Sequence, residues 1–156
     1  HMTKNKYFSL LILLIITSIA SVIGGFTTAY FKEPWYSEII LPSFNPPSWV
    51  FAPVWTTLYI MMSLAIWRVW IIFFNKKILY IYFWHLFFNA TWSIVFFGLH
   101  QIELALVNLL IIIFFVIYLT NKYQKLDIKS FFLMIPYLLW TLYAFVLNLS
   151  IVALNN

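Results

Sequence analysis

Long apolar stretches alternate with short polar segments along the chain. A helix that crosses a bilayer needs about 20 predominantly apolar residues. Five stretches meet that requirement: Tyr7–Phe31, Pro46–Phe74, Ile78–Gly98, Glu103–Tyr123 and Ser130–Leu154. Because each stretch is continuously apolar and does not alternate with polar residues, it does not fit a membrane β-strand. The pattern predicts an all-α integral membrane protein, a bundle of five transmembrane helices in one domain over residues 1–156.

The connections between these stretches differ in length. Asn75–Lys77, Leu99–Ile102 and Gln124–Lys129 leave room only for turns, so consecutive helices are expected to be antiparallel neighbours. Residues 32–45 form a longer loop. A loop of this length in a compact domain is more often functional than idle, although an amphipathic stretch at the membrane interface is the alternative.

Composition and charge exclude several classes of protein. The chain is 65% hydrophobic and 8% charged, against about 45–50% and about 25% in soluble domains. An aromatic fraction of 22% excludes disorder, and the lack of cysteine excludes a disulfide framework and thiol catalysis. With a cytoplasmic N-terminus, eight of the nine basic residues face the cytoplasm. This asymmetry predicts an N-in, C-out orientation, and it explains the net charge of +5 without nucleic-acid binding.

Ionisable groups offer little chemistry inside the predicted spans. None of the four carboxylates lies in the middle of a span, which argues against ion-coupled transport and acid–base catalysis. The histidines, His1, His85 and His100, have no metal-ligand spacing. We therefore predict neither a metal site nor a cofactor, and we assign no function to His1, which precedes Met2.

Aromatic and amide side chains recur at helical spacing in three spans. The three sets are Trp55, Tyr59 and Met62; His85, Asn89, Trp92 and Phe96; and Pro136, Trp140, Ala144 and Asn148. An amide inside a bilayer needs a partner in the protein, so Asn89 is expected to face the interior, one turn from His85. These side chains either pack the interior with interhelical hydrogen bonds or form a pocket for a flat, mostly apolar ligand.

Other residues give local predictions. Ser43 or Asn45 is expected to cap the second span, and Pro53 is expected to kink it. Three tryptophans near span ends are expected in the interfacial belts: Trp67, Trp70 and Trp84. Small residues at four-residue spacing in the first span permit close helix contact, within the bundle or in a homodimer: Thr17, Ser21, Gly25 and Ala29.

Three ordered segments resemble the translocator protein family, also called tryptophan-rich sensory proteins (TspO) or peripheral benzodiazepine receptors. They are WYSEIILPSFNPPSWVFAPVWTTLY at 35–59, FFNATWSIVFFG at 87–98 and PYLLWTLYAFVLNLSI at 136–151. The resemblance implies a five-helix bundle, commonly a homodimer, whose ligand pocket is closed by the loop at residues 32–45, which we call the lid loop. It implies binding of porphyrins such as protoporphyrin IX and of isoquinoline-carboxamide or benzodiazepine ligands, with sterols or lipids as further candidates.

The family motifs also imply particular site residues. The expected ligand contacts are Tyr36, Pro46, Trp55, Asn89, Trp92, Trp140 and Ala144, with Trp35, Tyr59, His85 and Asn148 as further candidates. Some bacterial members degrade porphyrin under light, which implies catalytic roles for Trp55 and Trp140. A bacterial member would lie in the plasma membrane. A transporter of porphyrins or lipids and a non-enzymatic stress sensor or scaffold are the alternatives. The family often has an amide where His85 stands, so we expect amide-like structural hydrogen bonding there, the alternative being an axial ligand to haem iron.

Overall fold

A computed structural model describes residues 4–156, so His1 lies outside the described residues. The protein is 86% helical, and residues 4–156 contain no strand. The helices are α1 (Lys6–Phe31), α2 (Trp35–Glu38), α3 (Ser48–Phe73), α4 (Lys76–Ser93), α5 (Ile102–Leu126) and α6 (Ile128–Leu154). All except the four-residue α2 are long and apolar enough to cross a membrane. The predicted all-α membrane fold with five spans is confirmed.

Helix ends differ from the predictions in detail. The predicted capping of α3 by Ser43 or Asn45 is wrong, since α3 begins after Pro47 with no side-chain cap. Pro47 has an extended backbone (ψ 147°), which separates Asn45 from the first amides of the helix. The predicted connection Gln124–Lys129 contracts to Asp127, at which α5 ends and α6 begins. A π-helical segment, Ile94–Gly98, extends α4 and was not predicted.

The five long helices pack in a closed ring. Helix α1 contacts α3 and α4, α4 contacts α5, α5 contacts α6, and α6 returns to α3. The three helices with aromatic stripes, α3, α4 and α6, therefore all border the interior. The largest fully buried side chains of the described residues include Tyr82, Tyr123 and Tyr137, so the interior contains hydroxyl groups as well as apolar surface.

The basic residues gather at one end of the ring, which we call the basic end. Its members are Lys4, Lys6, Arg68, Lys76, Lys77, Lys122, Lys125 and Lys129. Contacts join the helices there: Trp67 Nε1 donates to the Lys6 carbonyl at 2.7 Å, and Arg68 Nε lies 2.7 Å from Asp127 Oδ2. The expectation that Trp70 lies in the interfacial belt is wrong, since its side chain is 4% exposed and buried among the helices.

Small residues of α1 have two different environments. A Cβ built on Gly24 would lie 3.2 Å from Ser93 Oγ of α4, whereas a Cβ on Gly25 would meet nothing within 4 Å. Each four-residue step along a helix rotates by about 40°, so the predicted ridge turns from buried Thr17 to exposed Gly25 and Ala29. Gly24, which lies outside that ridge, approaches α4 closely, and the ridge itself contacts α4 at Thr17, whose hydroxyl lies 2.7 Å from that of Tyr82.

Candidate functional site

Two tryptophans meet where α3 and α6 pack together. The indole centroids of Trp55 and Trp140 are 6.2 Å apart with an interplanar angle of 89°, the edge-to-face geometry that aromatic pairs prefer. Trp55 also stacks on Tyr59 at 5.6 Å, and Phe51 meets Trp140 at 6.1 Å. Both indoles are only half-buried. They form an aromatic wall with surface left for a ligand.

One polar atom in this wall has no partner. The indole nitrogen Nε1 of Trp140 is buried and makes no hydrogen bond within the described part of the chain. Most buried polar groups in proteins are hydrogen-bonded, and each exception calls for an explanation. An indole N–H can only donate. The group complementary to Trp140 is therefore a hydrogen-bond acceptor such as a carbonyl or carboxylate oxygen.

A chain of hydrogen bonds crosses the interior beside the aromatic wall. The Tyr59 hydroxyl donates to Asn89 Oδ1 at 2.7 Å, and Asn89 Nδ2 donates to the Tyr137 hydroxyl at 2.8 Å. His85 Nε2 lies 2.6 Å from the same Tyr137 oxygen. The chain links α3, α4 and α6, and it satisfies both ends of the Asn89 amide that a bilayer leaves without partners.

The hydrogen bonds of His85 assign its tautomer. Nδ1 lies 3.3 Å from the carbonyl oxygen of Tyr82, which can only accept. The proton is therefore assigned to Nδ1, and Nε2 accepts from Tyr137. Since both ring nitrogens of this fully buried side chain are engaged, His85 makes structural hydrogen bonds and presents no free lone pair to haem iron.

A second polar pair joins α4, α5 and α6. Trp92 Nε1 donates to Asn148 Oδ1 at 3.1 Å, and Asn148 Nδ2 donates to the Ile102 carbonyl at 3.0 Å. The Trp92 ring stacks on Phe96 at 5.0 Å. Phe96 in turn contacts both Trp35 and Tyr36 of the lid loop. The lid loop is thus connected to the interior through aromatic rings.

The lid loop is fastened by contacts to the helix ends around it. Trp35 stacks on His100 with centroids 4.3 Å apart and nearly parallel planes. The Asn155 side chain accepts from the Ile40 amide at 2.9 Å and donates to the Ile40 carbonyl at 2.8 Å. The Tyr143 hydroxyl donates to the carbonyl of Phe44 at 2.7 Å. The loop therefore lies closed over this end of the bundle.

Tyr36 is the most buried aromatic side chain of the lid loop. It is 8% exposed, its ring meets Phe97 at 5.6 Å, and its hydroxyl donates to Asn45 Oδ1 at 3.3 Å. Burial raises the pKa of this phenol above its ordinary value. Nearby, hydrogen bonds from Ser37 and Lys32 lower the pKa of the Glu33 carboxyl. Tyr36 is therefore a neutral donor, and the negative charge of the loop stays at its surface.

The predicted site residues fall into two connected groups. The first joins the aromatic wall to the hydrogen-bonded chain and contains Trp55, Tyr59, His85, Asn89 and Trp140. The second joins the lid loop to the interior and contains Trp35, Tyr36, Trp92 and Asn148. Pro46 and Ala144 are half-buried, and Ala144 packs on the core.

Sequence reasoning missed Tyr137, at which two hydrogen bonds of the interior chain meet. The predicted stripe on α6 advanced by four residues at a time, so Pro136 and Asn148 lie about 120° apart around the helix. Pro136 is indeed exposed, whereas Tyr137 and Asn148 are buried. Eleven residues return to within about 20° of the starting direction. The spacing from 137 to 148 was therefore the signal that could have identified Tyr137.

Two cavities lie away from these groups. One of about 400 Å³ is on the outer face of α1, and one of about 430 Å³ lies between α1, α3 and α4 at the basic end. No predicted site residue lines either cavity. Residues 4–156 also contain no cluster of three or more His, Cys, Asp or Glu side chains that could hold a metal ion.

Comparison with known proteins identifies the family. Residues 11–154 match the TspO/MBR family. The chain belongs to this family. It is 36% identical over 151 residues to the tryptophan-rich protein TspO of Archaeoglobus fulgidus. The aligned region covers 92% of this chain and 98% of that protein. It is therefore a multi-pass membrane protein of the TspO/MBR family.

Other relatives of this TspO/MBR protein come from bacteria and animals. The tryptophan-rich sensory protein of Cereibacter sphaeroides is 35% identical over 144 residues, 91% of each chain. The translocator protein of Homo sapiens is 34% identical over 119 residues, 73% of this chain and 70% of the human one. These relatives support the resemblance on which the site residues were predicted.

Proposed function

We propose that the protein binds a tetrapyrrole such as protoporphyrin IX, or a similarly flat ligand, between α3, α4 and α6 beneath the lid loop. The observation that carries this proposal is the half-buried pair Trp55–Trp140 with its unpartnered Trp140 N–H. Indole rings stack on flat conjugated ligands. The N–H matches a porphyrin carboxylate, and equally the amide carbonyl of an isoquinoline-carboxamide or benzodiazepine ligand.

The same pair supports light-dependent porphyrin degradation as an activity. An excited porphyrin bound against Trp55 or Trp140 takes one electron from the indole, which leaves an oxidised indole and a reduced porphyrin, and dissolved dioxygen is the oxidant for the ring opening that follows. This step needs no acid, base or dedicated cofactor. It fits a chain whose four carboxylates, Glu33, Glu38, Glu103 and Asp127, all lie outside the middle of the spans. We therefore assign the catalytic roles to the two indoles.

The experiment is a titration of the purified protein with protoporphyrin IX in the dark and under illumination, followed at the Soret band. Trp140→Phe removes the N–H donor, and Trp55→Phe removes the second indole. Trp84→Phe is the matched control, because Trp84 is 58% exposed on α4 and lies outside both site groups. We expect a dark spectral shift with wild type and Trp84→Phe, and loss of photoproduct in the other two variants.

Two outcomes would count against the proposal, each against a different part. No spectral shift in the dark would refute tetrapyrrole binding. Full product formation by both Trp55→Phe and Trp140→Phe would refute the mechanism while leaving binding intact. Porphyrin flux across liposomes carrying the protein would favour the alternative of a transporter. Tight binding with neither turnover nor flux would favour a sensor or scaffold.

We also infer an N-in, C-out orientation in a bacterial plasma membrane and a homodimer. The orientation is supported by the basic end, because positively charged ends face the cytoplasm. Since the chain has no cysteine, single cysteines at Ser37 and Gln124 would report opposite faces to an impermeant thiol reagent. Labelling of Gln124→Cys from outside would overturn the orientation. Chemical cross-linking in membranes, before detergent is added, tests the dimer.

A further inference from the structure

The second cavity forms a groove in the bundle surface at the basic end. We call it the basic-end groove; its walls come from three helices and include Ile12, Ile16, Trp70, Lys76, Tyr80 and Phe83. Its volume of about 430 Å³ is within the range of about 300–1,000 Å³ found for ligand sites. The walls are apolar or aromatic apart from the lysine and the tyrosine hydroxyl. The groove is therefore amphipathic, with its charge at one end.

The charge at the mouth of the groove is unopposed. Among residues 4–156 the ion pairs are Lys32–Glu33 and Arg68–Asp127, so Lys76 has no carboxylate partner. Lys4 lies close by, with its Nζ 5.0 Å from the ring of Phe74, two residues before Lys76. A groove end lined by Lys76, which has no carboxylate within ion-pairing distance, favours an anion.

The groove extends about one leaflet deep. From Lys6, which begins α1, to Ile16 is ten residues, about 15 Å along a helix at about 1.5 Å per residue. The hydrocarbon core of a bilayer is about 30 Å thick. A molecule with its head at Lys76 and its tail along Ile16 and Phe83 would thus occupy the half of the bilayer at the basic end.

We propose that the basic-end groove binds an anionic phospholipid, with the phosphate at Lys76 and an acyl chain along Ile12, Ile16 and Phe83. The Tyr80 side chain, 57% exposed on the turn after Lys76, adds a hydroxyl at the level of the glycerol. The groove is separate from the candidate tetrapyrrole site, and this inference does not depend on the proposed function. It gives the protein a second ligand, drawn from the membrane itself.

A second copy of the chain fits this surface less well. In a two-fold dimer the same patch of both subunits meets, so docking at the groove would bring Lys4 and Lys76 of one copy towards those of the other. Like charges brought together at an interface are unfavourable. A phospholipid with a negative headgroup supplies the opposite charge and an apolar tail at once.

The test compares lipids added to the purified full-length protein in detergent. Palmitoyl-oleoyl phosphatidylglycerol is titrated against phosphatidylcholine with the same acyl chains, and bound lipid is counted by native mass spectrometry. At a tenfold excess over the dissociation constant, the bound lipid should raise the Tm by about 3 °C. We expect Lys76→Gln to weaken phosphatidylglycerol binding by about fivefold. One basic residue near an anionic membrane surface contributes a binding free energy that corresponds to about that change in affinity.

Lys129→Gln is the matched control, since it removes the same charge from the basic end but lies on α6, away from the groove. We expect this variant to bind phosphatidylglycerol like wild type. An equal loss in both variants would show diffuse attraction to the basic end and would overturn the proposal. Glycerol phosphate is the last arm: an equal Tm rise with this headgroup alone would reveal a simple anion site and would also overturn it.

Discussion

Replacing Tyr137 by phenylalanine tests whether the interior hydrogen bonds hold the bundle together. The substitution removes one hydroxyl and keeps the ring, so the packing of this fully buried side chain is preserved. The lost oxygen is the partner of both His85 Nε2, at 2.6 Å, and Asn89 Nδ2, at 2.8 Å. One change thus leaves two buried polar groups unsatisfied. The Tyr59–Asn89 bond remains, which confines the perturbation to the far end of the chain.

Two kinds of measurement bound the free energy of unfolding that Tyr137→Phe should lose. A buried polar group left without a partner costs about 1–3 kcal/mol in soluble proteins. Hydrogen bonds between helices in a bilayer are worth less, about 0.6 kcal/mol on average and about 1.7 kcal/mol at most. With two groups affected, we expect Tyr137→Phe to lower the free energy of unfolding by about 2 kcal/mol. That corresponds to about a 30-fold change in the unfolding equilibrium.

The assay is reversible unfolding in mixed micelles, followed by tryptophan fluorescence without ligand. Tyr143→Phe is the matched control on the same helix, because it removes a single bond, to the Phe44 carbonyl, at an exposed site. We expect that variant to lose less than about 1 kcal/mol. If Tyr137→Phe loses no more than Tyr143→Phe, the network does not stabilise the fold. Adding His85→Leu to Tyr137→Phe should restore part of the loss, since removing both partners leaves fewer unsatisfied groups.

Three further predictions concern helix packing, acid stability and the lid loop. Gly25→Ala should raise the free energy of unfolding by about 0.5–1 kcal/mol in thermal unfolding, and Gly24→Ala should gain less because its Cβ meets α4 at 3.2 Å. Hydrogen bonds from Arg68 lower the pKa of the Asp127 carboxyl below its ordinary value of 3.8. The stabilisation that the ionised carboxylate gives the folded state is therefore present above that pH and is lost as the pH falls through the folded-state pKa. Asp127→Asn should reduce this acid-dependent fall in the free energy of unfolding, measured in a pH series of unfolding curves. Asn155→Ala should remove the clamp on the lid loop and speed ligand dissociation in stopped-flow experiments, with unchanged rates as the contrary result.

The extent of the spans was predictable because each depends on a sum over many residues. The first span was expected at Tyr7–Phe31 and is found at Lys6–Phe31; the last was expected at Ser130–Leu154 and is found at Ile128–Leu154. A bilayer requires about 20 apolar residues for each crossing, so single polar residues cannot move a span far. The ends are less predictable, since helix α5 runs through the polar residues Gln124 and Lys125. Polar residues there do not end the helix.

The candidate site was predictable only as a set of helix faces. Asn89 had to face the interior because a bilayer offers an amide no partner, and the structure gives it partners on two helices. Which partners it has depends on how the ring closes, and the sequence does not show that α6 lies between α3 and α5. Tyr137 was missed for this reason as well as for its spacing. Helical spacing placed Trp55 and Trp140 on stripes of α3 and α6, and the family motifs implied that both belong to the site, but neither predicted that the two rings touch.

The unpaired Trp140 N–H limits the kind of ligand that the interior can select. The other side-chain atoms of the described residues that are buried without partners are Asn108 Oδ1 and the Tyr123 hydroxyl, and neither belongs to the aromatic wall. Asn89 and His85 already have hydrogen-bond partners in Tyr137, and in the Tyr59 hydroxyl and the Tyr82 carbonyl respectively. A ligand therefore gains a direct hydrogen bond at Trp140 only if it brings an acceptor. A flat molecule without a carbonyl or carboxylate should bind through stacking alone and leave that N–H unsatisfied, at a cost of about 1–3 kcal/mol relative to one that engages it.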